Sequence, residues 1–121
     1  MIFVSKNEDG VPAWKLIEAG KKTVTRRLKP EIPGKVRAVC PGRGKKAVGY
    51  IRIISCVPDE DFCNELPVTE LDIEAQREGF KTWESLWECI RMLHHCGESP
   101  LPALFRIEFE KSPKKDERSE S

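Results

Sequence analysis

Between residues 103 and 110 the side chains alternate more strictly than anywhere else in the chain, with Ala103, Phe105, Ile107 and Phe109 in one phase and Leu104, Arg106, Glu108 and Glu110 in the other. A period of two is the mark of a strand with one buried face, and a strand needs hydrogen-bonded neighbours to be stable. The chain must therefore build a sheet. Ala47 to Val57, rich in β-branched residues, reads as a long central strand, Lys35 to Cys40 as a looser one, and Met1 to Ser5 as a short first strand.

Helical spacing appears elsewhere. Ala13, Leu16, Ile17 and Gly20 fall at i, i+3, i+4 and i+7, Pro12 suits a first turn, and Gly20 is a stop signal because the residue after a helix commonly takes φ > 0. Trp14 either extends that stripe into the core or offers its indole for stacking on a base. Pro58-Asp59-Glu60-Asp61 reads as a loop, and Thr69 is placed to cap a helix carrying Leu71, Glu74, Ala75 and Glu78 along one stripe. Thr82 caps a further helix with Trp83, Leu86, Trp87 and Ile90 inward, which Gly97, Pro100 and Pro102 end. The class is α+β. From Lys111 to Ser121 no apolar residue occurs, which predicts one domain over residues 1–110 and a disordered charged tail over 111–121.

Charge is unevenly distributed along the 121 residues although the formal net charge is only +1. Residues 15–50 hold eleven basic and two acidic side chains, whereas residues 57–90 hold ten acidic and two basic. Either the two segments neutralise each other across the fold, or a basic surface is left for phosphates. The basic loop Pro41-Gly42-Arg43-Gly44-Lys45-Lys46 lacks the spacing of a P-loop and reads as a hairpin turn or as a grip on a nucleotide backbone. Five cysteines, an odd number, and an N-terminus without the pattern of a secretory leader predict a reducing, cytoplasmic setting. Cys89, His94, His95 and Cys96, with Cys63, are zinc-ligand types, but their spacing is irregular and no CxxC pair occurs, which favours free thiols and no metal. No apolar run approaches the length of a membrane span, and no cofactor is called for.

The densest chemistry lies in Gly20-Lys21-Lys22-Thr23-Val24-Thr25-Arg26-Arg27-Leu28. As a strand it sets Thr23, Thr25 and Arg27 on one face and Val24, Arg26 and Leu28 on the other. A polar face of this kind is what a solvated strand carries, and also what a binding pocket carries. Lysine serves as a general base when burial or cationic neighbours depress its pKa, and Lys21, Arg26 and Arg27 are such neighbours of Lys22. Glu78, on the stripe of Leu71 and Ala75, is placed for partial desolvation and acid/base work, or for snorkelling outward from a helix end.

The run Pro12-x-Trp14-x-x-Ile17-x-x-Gly20-x-Lys22-Thr23-x-Thr25-x-Arg27, with Ala75-x-x-Glu78-Gly79-Phe80 downstream, resembles the motifs of the ASCH domain family, small PUA-like β-barrels associated with RNA and modified nucleosides. Within it the chain is similar in size and motif to the small bacterial N4-acetylcytidine amidohydrolases. The resemblance implies a barrel of about five strands with flanking helices. It further implies Thr25 as nucleophile, Lys22 as base and Glu78 as proton shuttle, with Arg27, Thr23, Lys21 and Arg26 holding substrate. The expected partner is a modified nucleoside or RNA, and the expected state a monomer. A module that binds RNA without catalysis is the competing expectation. An RNA-cleaving enzyme is the third, not encouraged by a chain with only two histidines.

Overall fold

A computed structural model of the chain describes residues 1–94 and 103–113. Four strands, β1 (Val24–Arg27), β2 (Val36–Val39), β3 (Gly49–Pro58) and β4 (Phe105–Ser112), form one antiparallel sheet in the order β1-β4-β3-β2. The most strictly alternating segment becomes an interior strand. β4 pairs with β1 and β3, and its ladder with β3 is interrupted by an irregularity between Ile53 and Ser55 that leaves Ile54 exposed.

The sheet is open, which corrects the expectation of a closed barrel of about five strands. Closure would need a fifth strand joining the edges β1 and β2, each only four residues long. The first residues do not supply it. They make a single parallel bridge, Ile2 to Cys40, beyond the end of β2, so the strand expected over Met1–Ser5 is reduced to one β-bridge, with Ser5 and Phe3 accepting instead from the first amides of α1. A side chain spans from β1 to this segment instead of a backbone ladder: Arg27 Nη2 donates to the Ile2 carbonyl at 2.8 Å.

Helix α1 (Ala13–Glu18) and residues 1–5 cover one face of the sheet. Phe3, Ala13, Ile17, Val39, Ile51, Ile53, Ile107 and Phe109 form the core there, and each large apolar side chain buried contributes about 1.5–3 kcal/mol. On the other face lie α2 (Asp59–Glu65), a 3₁₀ turn (Val68–Glu70), α3 (Leu71–Arg77) and α4 (Trp83–Leu93), with a second core of Ala75, Phe80, Leu86, Ile90 and Leu104.

Two helix starts differ from expectation. Asp59–Glu65 is helical where a loop is expected, because Pro58 precedes three acidic residues in a first turn whose free N–H groups favour negative charge. Thr69 lies inside the 3₁₀ turn and caps nothing with its side chain. Thr82 does cap α4, its hydroxyl accepting from Ser85 N at 3.2 Å. Gly97, Pro100 and Pro102 lie outside the described residues, as do residues 114–121 of the expected tail. Lys111 and Ser112, assigned by composition to that tail, pair in β4 with Ile51 and Tyr50. No helix among the described residues is long and apolar enough to cross a membrane.

Candidate functional site

Leu16 brings the two sequence motifs together. Its carbonyl accepts from the amides of both Lys21 (2.8 Å) and Lys22 (3.2 Å), closing the turn that Gly20 makes possible at φ +76°. Its side chain packs against Gly79, where an added Cβ would lie 2.6 Å from Leu16 Cδ1 and where φ is +94°. Lys22 and Glu78 are thereby delivered to one point from opposite sides. Lys22 Nζ donates to the Glu78 carbonyl at 3.1 Å and lies 3.7 Å from Glu78 Oε1.

The pair is almost closed to water, with Lys22 6%, Thr25 5%, Arg26 7% and Glu78 3% exposed. Burial is the main force on Lys22, holding its pKa below the ordinary lysine value; Glu78 opposes the shift, while Arg27 and Arg26 add to it. A lysine so placed gives up its proton more readily than one at the surface.

Arg26 is expected to hold substrate, but each of its nitrogens is engaged by a carboxylate. Nε donates to Asp59 (2.9 Å), Nη1 to Glu78 Oε2 (2.8 Å) and Nη2 to Glu74 Oε2 (2.9 Å). Burial works against this guanidinium's charge, and Glu78, Asp59 and Glu74 together outweigh it, raising its pKa above the usual value. The ring faces of Trp83 and Trp87 lie 5.6 and 5.7 Å from it. Arg26 thus positions Glu78. Directly across the ladder stands Arg106, a like charge that would be repelled but for Glu74, whose carboxylate receives Arg106 Nε at 2.6 Å and Nη2 at 3.0 Å. Burial penalises the charge of Glu74, but Arg106 and Arg26 hold its pKa below the ordinary carboxylate value.

Thr25 and Arg27 occupy the opposite face of β1. Thr25 Oγ1 accepts from Arg27 Nε at 3.2 Å, and the guanidinium lies 4.5 Å over the Phe3 ring. Among the described residues no hydrogen bond joins Thr25 to Lys22 or Glu78. The structure therefore brings five of the seven expected residues together as two groups, Lys22-Glu78-Arg26 and Thr25-Arg27. Thr23 starts the strand through its backbone, donating to the Arg77 carbonyl and accepting from Phe109 N, and Lys21 is exposed. Lys22 precedes β1, in the turn, which frees its side chain from the strand's alternation.

Sequence reading did not single out Asp59, Glu74 or Arg106. Glu74 carried a signal, since it shares the stripe of Leu71, Ala75 and Glu78. Arg106 carried none, because it occupies the polar phase of the alternating strand.

Among the described residues, the ion pairs between the basic 15–50 and acidic 57–90 segments fall in this buried cluster. Asp59, Glu74 and Glu78 are the three buried carboxylates of the acidic segment, while seven basic residues, Lys15, Lys21, Lys29, Lys35, Arg43, Lys45 and Lys46, remain exposed. No group of three or more His, Cys, Asp or Glu among the described residues is arranged to hold a metal; His95 and Cys96 lie outside them.

No protein-family model matches the chain, and no curated protein matches it. Among solved structures, the crystal structure of protein EF3133 from Enterococcus faecalis V583, of the family DUF984, is similar at a TM-score of 0.59 and 18% sequence identity, over 99% of this chain and 80% of that one. At that identity the likeness is one of fold.

Proposed function

We propose that the chain hydrolyses the N4-acyl amide of an acylated cytidine, as a cytoplasmic monomer of the ASCH kind acting on a nucleoside or RNA-derived substrate. The observation that carries this reading is the buried Lys22 beside Glu78, held below the ordinary lysine pKa by burial and two guanidinium groups. In the proposed reaction substrate binding brings Thr25 Oγ1, bonded to Arg27 Nε in this structure, within reach of Lys22, whose Nζ leaves the Glu78 carbonyl and takes the Thr25 proton as that oxygen attacks the acyl carbon. Arg27 stabilises the resulting oxyanion. Lys22 passes the proton through Glu78 to N4, the C–N4 bond breaks, and cytidine leaves. Water, deprotonated by Lys22, then attacks the acyl ester; the acyl C–Oγ1 bond breaks, Lys22 returns its proton to Thr25 Oγ1, and the carboxylic acid leaves.

The test is incubation with N4-acetylcytidine followed by chromatography for cytidine. Wild type should release it, and Lys22→Ala, Thr25→Ala and Glu78→Ala should each lower turnover by about 10²–10⁴-fold. The double variants should lose little more, because the groups act as a unit. Wild-type inactivity on N4-acylcytidines contradicts the proposal.

The seven exposed basic residues favour a second reading, an RNA-binding module, which predicts affinity for single-stranded RNA that falls steeply with salt. Binding indifferent to salt, or absent at low salt, would rule it out.

A further inference from the structure

A cavity of about 550 Å³ opens between residues 5–8 and helix α4, outside the Lys22–Glu78 cluster itself. Phe80, Cys89, Met92 and Leu93 give it its apolar surface. Its wall is fixed: Asn7 Nδ2 donates to the Gly79 carbonyl at 3.0 Å, and Glu8 Oε2 accepts from Lys81 N at 2.8 Å, fastening residues 7–8 to the turn that carries Glu78. Phe80 lies two residues beyond Glu78, and the Cys89 thiol, pushed up by burial, is also acted on by the charges of Lys22 and Glu78. The cavity therefore lies beside the turn that carries Glu78, because Phe80 lines it and its Asn7 and Glu8 are bonded to Gly79 and Lys81 on either side of Phe80. Of the three charged residues that line the space among the described residues, Glu8 and Glu88 are acidic and only Lys6 is basic, whereas the exposed lysines of residues 15–50 contribute none. That balance disfavours a phosphate.

We propose that this cavity is the acyl pocket of the site and selects uncharged amides whose acyl group is larger than acetyl. The inference rests on the hydrolase reading above. A methyl group leaves most of a 550 Å³ space unfilled, while a longer acyl chain buries its methylenes against Phe80, Cys89, Met92 and Leu93.

The test compares N4-acetyl-, N4-propionyl- and N4-butyrylcytidine. Wild-type kcat/KM should rise by about fourfold for each added methylene. Cys89→Phe, which fills the space, should flatten or invert the series, and Met92→Trp, at an exposed position, should do so with less burden on folding. A series that falls from acetyl to butyryl, or a butyryl-to-acetyl ratio unchanged in both folded variants, overturns the pocket while leaving the hydrolase reading standing. If wild type turns over none of the three, the hydrolase reading fails, and calorimetric binding of the same compounds decides the pocket. Tighter binding of the butyryl compound, lost in Met92→Trp, supports it, and equal affinity for all three overturns it.

Discussion

Glu74 and Glu78 stand one helical turn apart on the same stripe, both buried and both bound by Arg26, yet their surroundings differ in kind. Glu74 accepts from Arg26 and from both Nε and Nη2 of Arg106, with Arg77 3.5 Å away, so its oxygens are saturated by permanently charged groups. Glu78 has Arg26 on one oxygen and, 3.7 Å from the other, a lysine whose charged form is disfavoured. A carboxylate surrounded by guanidinium groups has nowhere to send a proton and holds helices to a sheet. One that faces a lysine of lowered pKa has a partner for proton exchange.

Removing Glu74 should have the largest effect on folding. Glu74→Ala leaves Arg26 and Arg106 buried and facing each other, and should cost about 3–5 kcal/mol by urea denaturation; a loss under 1 kcal/mol would dissolve the distinction between the two carboxylates. The same stabilisation should disappear in acid. Glu74 has a folded pKa below its ordinary value of 4.5, so its contribution is fully present above that value and is lost as pH falls through the lowered folded one. The melting temperature should drop across that interval, and drop less in Glu74→Gln.

Gly79→Ala comes next, at about 2 kcal/mol, because φ +94° is strained for alanine and its Cβ displaces Leu16, the residue that sets Lys22 against Glu78. Turnover should fall together with stability. Glu78→Gln should cost least in stability, about 1 kcal/mol, since Arg26 keeps Asp59 and Glu74 while losing one charge-assisted bond. Its effect should fall on activity, and a loss of stability as large as that of Glu74→Ala would assign Glu78 to the scaffold.

Local rules foretold much of the frame. The glycine after α1, the threonine before α4 and the alternation of β4 are decided by neighbours in sequence, and all three were legible. The acidic turn of α2 also carries a local signal, which the loop character of Pro58 masks. What escaped depends on groups far apart in the chain. Nothing in Val24–Arg27 tells that three carboxylates from residues 59, 74 and 78 converge on Arg26, or that Thr25 instead bonds Arg27, whose guanidinium lies over Phe3. The open sheet was likewise not legible, since whether Met1–Ser5 completes a ladder or makes one bridge is settled by where β2 ends.

Proton exchange between Lys22 and Glu78 depends on burial holding the Lys22 pKa below that of an ordinary lysine. That depression is tested most directly by following the Nζ resonance of Lys22 through a pH titration by NMR, assigned by its absence in Lys22→Met. The midpoint should lie below the ordinary 10.5 and, because Glu78 opposes the depression, lower still in Glu78→Gln. A midpoint at or above 10.5, or one that rises in Glu78→Gln, would contradict it.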